Sequence, residues 1–179
     1  MRVAMIQMDM QLGKPEANFE KAEKLVRVAA ELKPDVITLP ETWNTGFFPR
    51  ENLKEASDVD LEQTKKLFSR LAKEYRVNII AGSVANCRDE KIYNTAAVFN
   101  RDGEVVMEYD KVHLFSPSGE HEYFEHGKNI CNFELDGIPC SLVICYDIRF
   151  PELIRSEMLA GSKVQFVVAQ WPDTRLLHW

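Results

Sequence analysis

Apolar strand-like runs alternate along this sequence with helical segments that have one apolar face, and two Asp-Gly hairpin signals interrupt the pattern. This alternation constrains the fold more than any other feature. Arg2–Asp9 reads as a strand, and Ala17–Leu32 reads as a helix because Ala22, Leu25, Val26, Ala29 and Leu32 recur on one face. Val36–Pro40 reads as a short apolar strand closed by proline. A second helix is expected behind it, with Asp60 as its cap and Leu67, Phe68, Leu71 and Tyr75 as its apolar side. Strands are then expected over Val77–Val84, Tyr93–Asn100 and Glu104–Tyr109, the last two joined by Asp102-Gly103. Ser116–Asn129 is polar and lacks a regular pattern. Cys131–Leu135 and Pro139–Cys145 form a second expected hairpin through Asp136-Gly137, followed by a helix over Pro151–Ala160 and a strand over Val164–Ala169. Helices interleaved with both crossovers and hairpins imply an α/β fold in which helices cover a mixed sheet system.

Bulk properties narrow the function classes. With 179 residues, 45% of them hydrophobic and 28% charged, the chain can bury a sizeable core as one domain spanning 1–179. Acidic residues (28) outnumber basic ones (22), which argues against nucleic acid as a partner. No apolar stretch approaches the roughly 18 residues of a membrane span. The N-terminus enters a strand-like run with no secretory signal, so a cytoplasmic location is expected. The four cysteines, at 87, 131, 140 and 145, form no CxxC pair and are too few for a disulfide framework. In a reduced compartment one of them can serve as a thiolate. Residues Arg175–Trp179 read as the opening of a helix that stops before it can bury a face, so the C-terminal part of the domain is expected to be missing.

Three segments place polar residues at the ends of apolar strands, where sites in α/β folds gather. In Leu39-Pro40-Glu41-Thr42-Trp43 a carboxylate follows a strand and a proline. In Tyr109-Asp110-Lys111-Val112-His113 a lysine ends a strand among apolar neighbours, where burial lowers its pKa and a nearby carboxylate holds its charge. Taken singly, such a glutamate and such a lysine are more often solvated surface groups. In Leu142-Val143-Ile144-Cys145-Tyr146 a cysteine caps a wholly apolar strand, and a helix with proline in its first turn begins soon after. Backbone N–H groups at such a turn favour a thiolate and can bind an oxyanion. Cys145 is therefore the nucleophile candidate. Cys87 is read as lying in a polar turn, with Cys131 and Cys140 as structural strand residues.

The segments LPETWNTGF, YDKVHLF, SGEHEYF and CYDIRFPEL occur in this order, and together they resemble the Glu, Lys and Cys signatures of the nitrilase superfamily of carbon–nitrogen hydrolases. The likeness runs the length of the chain. Cys145–Pro151 and Gln170–Arg175 are most similar to the omega-amidase-like branch. The resemblance implies a four-layer α-β-β-α sandwich, truncated here at its C-terminus, that assembles as a homodimer or larger homo-oligomer with the 151–160 helix at an interface. It implies Glu41 as base, Lys111 as oxyanion partner, Cys145 as nucleophile and the backbone N–H of Tyr146 as a second oxyanion donor. Glu120 matches the family's additional glutamate, with Glu122 and Glu125 nearby in the same loop. No cofactor or metal is implied.

The implied substrate is a small-molecule ω-amide such as 2-oxoglutaramate, hydrolysed through a cysteine thioester. Nitriles, N-carbamoyl compounds and deaminated glutathione remain alternatives. Arg149 or Arg175 is the candidate for a substrate carboxylate, and Arg149 could instead brace the turn by pairing with Asp147 or Glu152. Tyr146, Trp171 and Phe124 are the candidate pocket walls. Two other chemistries fit the sequence less well. His113, His121, His126 and Glu120 do not follow metal-ligand spacing, and a Cys145–His113 dyad leaves Glu41 and Lys111 without a role. A degenerate, non-catalytic binding domain is the alternative of a different class.

Overall fold

In the computed structural model, which describes residues 1–178, the first half of the chain builds a mixed sheet. Strands β1 (Val3–Met5), β2 (Val36–Thr38) and the start of β4 (Asn78–Arg88) run parallel. β5 (Lys91–Phe99) and β6 (Val105–Asp110) then add antiparallel, and the two-residue β3 (Asp58–Val59) pairs with the far end of β4. Side chains alternate across this sheet as strand geometry requires. Ile79, Ala81, Ala97 and Phe99 face helices α1 (Pro15–Glu31) and α3 (Glu62–Tyr75) in one core, around the buried Trp43 and Phe68. Val36, Ile80, Ala96 and Val98 face the opposite way into a second core.

That second core is closed by a three-stranded sheet of β7 (Asn132–Leu135), β8 (Ile138–Ile144) and β9 (Val164–Val168), which contributes Leu135, Leu142, Ile144, Phe166 and Val168. β7 and β8 are antiparallel, and β8 and β9 are parallel across the crossover helix α4 (Pro151–Leu159). Helix α4 lies against β8 on the side where Val143 alternates with Leu142 and Ile144. The layers are thus helices, sheet, sheet and helix, as the sequence resemblance implies. Among the described residues no helix is long and apolar enough to cross a membrane.

Several local expectations change. β1 is only three residues long, and β4 runs on to Arg88, so Cys87 is buried within a strand and does not lie in a turn. A four-residue helix α2 (Leu53–Ala56) and β3 were not anticipated. Asp58, not Asp60, caps α3: its carboxylate accepts from Gln63 N at 3.0 Å and Thr64 N at 2.8 Å. Asp60 and Leu61 both take left-handed backbone (φ 52° and 57°), a kink that swings the chain so that the earlier aspartate reaches the helix start. The two Asp-Gly hairpins also differ. Asp136 and Gly137 both have positive φ, as a type I′ turn needs, whereas around Asp102-Gly103 only the glycine does and Asn100 Oδ1 accepts from Asp102 N and Glu104 N. Ser116–Ser118 and Glu120–Glu122 form short 3₁₀ turns inside the segment read as irregular. Asp173–His178 is also 3₁₀, and Trp179 lies outside the described residues.

Candidate active site

Glu41 is fully buried in the loop that leaves β2, and the sequence around it fixes its position from both sides. Trp43 packs edge-on against Phe19 of α1 and Phe68 of α3 and donates its indole N–H to Ala81 O at 2.8 Å. On the other side β4 bulges between Ile80 and Ser83, and Ser83 N donates to Pro40 O while Thr42 N donates to Ser83 Oγ at 3.0 Å. Gly82 makes this approach possible. Its φ is +60°, and a Cβ there would stand 2.0 Å from Pro40 O.

Lys111 directly follows β6 and is also fully buried. Its ammonium lies 2.8 Å from Glu41 Oε1, 3.1 Å from Glu120 Oε1 and 2.9 Å from Glu120 Oε2, so all three of its protons have carboxylate acceptors. Burial alone would push Lys111 down, but the charges of Glu41 and Glu120 outweigh it and hold the ammonium above its usual range. Of the three loop glutamates, only Glu120 is buried; Glu122 and Glu125 are exposed.

Counting acceptor sites separates the two buried carboxylates. A carboxylate offers about four lone-pair positions, two on each oxygen. Glu120 fills all of its own: Oε1 accepts from Lys111 and Asn94, and Oε2 from Lys111 and, at 2.6 Å, from Phe115 N. Glu41 Oε1 is filled by Lys111 and by Asn94 Nδ2 at 3.0 Å, but Oε2 accepts only Gln170 N among these donors, at 3.1 Å. Glu41 therefore has one position that none of these donors fills, and the Cys145 thiol is a further hydrogen-bond neighbour of this carboxylate.

Cys145 arrives from the second sheet. It directly follows β8 with left-handed backbone (φ 49°), a strained conformation for a residue with a side chain, and begins a 3₁₀ turn that runs to Arg149. The turn is held by Asp147, fully buried, whose Oδ2 accepts from Ile144 N and Tyr109 Oη and whose Oδ1 accepts from His113 N and Nδ1. With its ring committed to Asp147 and stacked on Phe150 at 3.6 Å, His113 does not form the dyad with Cys145 that the sequence left open. The thiol instead meets Glu41 and the indole N–H of Trp171, which lies 2.9 Å from Sγ. Burial pushes the Cys145 thiol up from its usual range and the Glu41 charge pushes the same way, while Lys111 and the Trp171 N–H pull it down. Burial and the Glu41 charge thus favour the protonated thiol against this carboxylate.

A cleft of about 550 Å³ opens over Cys145, walled by Phe47, Phe115, Tyr146 and Trp171, with Gln170, Ser118 and Pro172 completing it. Arg149 and Arg175 border it. The Arg149 guanidinium sits over the Trp171 ring at 5.1 Å and that of Arg175 over Phe115 at 5.4 Å. Asp147, one expected partner of Arg149, is committed elsewhere. Phe124 is not a wall: it packs with Phe48, Leu53, Ala85 and Leu114 in a separate cluster, because the loop that carries Glu120 turns its apolar side inward. Asn94, the Gln170 backbone and Phe47 were missed from sequence. Among the described residues no group of three or more His, Cys, Asp or Glu side chains converges as metal ligands do.

The carbon-nitrogen hydrolase family profile matches residues 2–179. A 2-oxoglutaramate amidase from Bacillus subtilis is 41% identical over 177 residues, covering 99% of this chain and 68% of its own length. An omega-amidase from Homo sapiens is 33% identical over 170 residues, covering 91% of this chain and 61% of its own. Among solved structures, a nitrilase-superfamily protein from Saccharomyces cerevisiae superposes with a TM-score of 0.89 at 24% identity, over 99% of this chain and 68% of that one. The chain belongs to the carbon-nitrogen hydrolase family.

Proposed function

We propose that this protein is an amidase that hydrolyses the ω-amide of a small carboxylic acid, such as 2-oxoglutaramate, to the carboxylate and ammonia through a Cys145 thioester. The observation that carries the reading is the buried Cys145 thiol set against the Glu41 carboxylate, whose Oε2 accepts only Gln170 N among the donors named above. In the proposed first step Glu41 takes the Cys145 proton as Sγ attacks the amide carbon, and the C=O electron pair moves onto oxygen. The Lys111 ammonium, giving up its 3.1 Å contact to Glu120 Oε1, and the Tyr146 backbone N–H hold that oxyanion. Collapse breaks the C–N bond, and Glu41 returns the proton to the departing nitrogen as ammonia leaves. Glu41 then accepts a proton from water as the hydroxyl adds to the thioester. The second collapse releases the acid and reprotonates the thiol. Glu120, with no open position, orients Lys111.

The apolar walls and the two guanidiniums beside the cleft support a short substrate with an anionic end, for which Arg149 and Arg175 are the proposed contacts. The Bacillus relative's named substrate has this character. Homodimer formation through α4, whose Leu159 is exposed, belongs to the same proposal, as does a cytoplasmic location, which four unpaired cysteines support. The decisive experiment follows ammonia release from 2-oxoglutaramate and from matched nitrile and N-carbamoyl compounds, with trapping of the acyl-enzyme by mass spectrometry. Turnover of the amide with an adduct on Cys145 is expected. Ammonia release that survives Cys145→Ala would overturn the mechanism.

A further inference from the structure

Asn94 lies within β5, almost wholly buried, and its side chain spends both amide protons on charge: Nδ2 is 3.0 Å from Glu41 Oε1 and 3.0 Å from Glu120 Oε1. Its own Oδ1 is buried with no hydrogen-bond partner among the described residues. Leaving that oxygen unpaired is costly, and what Asn94 gains in exchange is two hydrogen bonds to charged groups. Turning the amide over would set that oxygen against two carboxylate oxygens, so the donor arrangement is the only favourable one. Asn94 is also fixed from behind, because its backbone carbonyl accepts from Lys111 N at 2.9 Å.

We propose that Asn94 is a positioning residue of the site: it bridges the two like-charged carboxylates and fills the second position on Glu41 Oε1, leaving Oε2 as the atom that receives the Cys145 proton. The inference rests on Glu41 being the base. Lys111 cannot do this work alone. Its three protons are already shared between the two glutamates, so one lone pair on each Oε1 would stand open without the amide. Glu41 would then face Glu120 across a buried gap with less compensation, and its Oε1 would compete with Oε2 for the proton. Among the described residues, the other titratable groups facing this cluster are Lys111 and Cys145. The adjacent Asp110 is tied to Arg88 at 2.6 Å and to Thr95.

The test uses the full chain with Asn94→Ala, which deletes the donor, and Asn94→Asp, which keeps the shape and replaces the donor by an acceptor. Alkylation of Cys145 by iodoacetamide is followed against pH by mass spectrometry, which needs no substrate, alongside kcat and KM for 2-oxoglutaramate. Losing one charge-assisted hydrogen bond should move the acid limb of alkylation up by about one pH unit in Asn94→Ala. Asn94→Asp should move it further. The corresponding fall in turnover should be about tenfold and appear in kcat, with KM little changed. A merely structural role would lower the unfolding temperature and leave the limb in place. An alkylation profile for folded Asn94→Ala that superimposes on the wild type overturns the proposal, whatever Asn94→Asp does. A limb that shifts in a protein inactive on every amide leaves the Asn94 assignment standing and removes the amidase reading instead.

Discussion

The Tyr109 hydroxyl donates a 2.8 Å hydrogen bond to Asp147 Oδ2, tying the last strand of the first sheet to the turn that carries Cys145 in the second. Both groups are buried, and burial together with the Asp147 charge pushes the Tyr109 phenol well above its usual range, so it stays a donor at any ordinary pH. Tyr109→Phe keeps the ring and leaves one Asp147 position empty. It should cost about 1.5–3 kcal/mol, the worth of a hydrogen bond to a charged group. Urea denaturation of the variant measures this, and an unchanged midpoint would mean the bond is replaced by solvent.

Lys111→Met removes the only cation in contact with Glu41 and Glu120 among the described residues. Turnover should fall by at least about 100- to 1000-fold, as for loss of an oxyanion donor. Alkylation of Cys145 should slow as well, since the Lys111 charge pulls the thiol pKa down. Both are read from one purified sample, and a variant within tenfold of wild type would remove Lys111 from the mechanism.

Gly82→Ala places a methyl group against Pro40 O and demands a left-handed φ of a residue that resists it. Strain of about 1–3 kcal/mol is expected. The larger effect should be on chemistry, because displacing the Glu41 loop by about an ångström is enough to cost roughly 100-fold in rate. A crystal structure of the variant, compared at Glu41 Oε2, checks the cause.

Glu157 on α4 is buried, with Oε1 accepting from Cys131 N at 3.1 Å and Oε2 without a hydrogen-bond partner among the described residues. Burial, with a contribution from the Asp147 charge, pushes its carboxyl up to about 7. The folded state therefore favours the protonated acid. That contribution to stability is complete below the unfolded carboxyl's pKa and is lost as pH rises through about 7. Glu157→Gln should remove this dependence and raise the unfolding temperature at pH 8 relative to wild type by more than at pH 5. Parallel thermal melts at the two pH values decide it, and equal shifts would count against a buried titrating acid.

Much of this arrangement is legible in the sequence because Glu41, Lys111 and Cys145 each sit at or just beyond the end of an apolar strand, where polarity breaks a pattern. Glu120 is visible only through motif likeness, since three glutamates share its loop and burial alone separates them. Asn94 leaves no such trace. It occupies an ordinary polar position inside β5, and its two partners lie 53 and 26 residues away in the chain. The Gln170 contact uses a backbone N–H, which any residue but proline supplies. Asp58 and Asp60 show the same limit for helix capping: both are plausible by type, and a left-handed kink at residues 60 and 61 decides between them.

Glu41 and Lys111, the proposed proton acceptor and its cation, belong to one sheet, and the Cys145 sulfur belongs to the other. A refolding chain can therefore recover its helices and strands, and its far-ultraviolet dichroism with them, while remaining chemically inert. The return of rapid iodoacetamide labelling at Cys145 would time the last event, when the two layers lock face to face. Agents that loosen that seam by an ångström should silence the protein before they melt it.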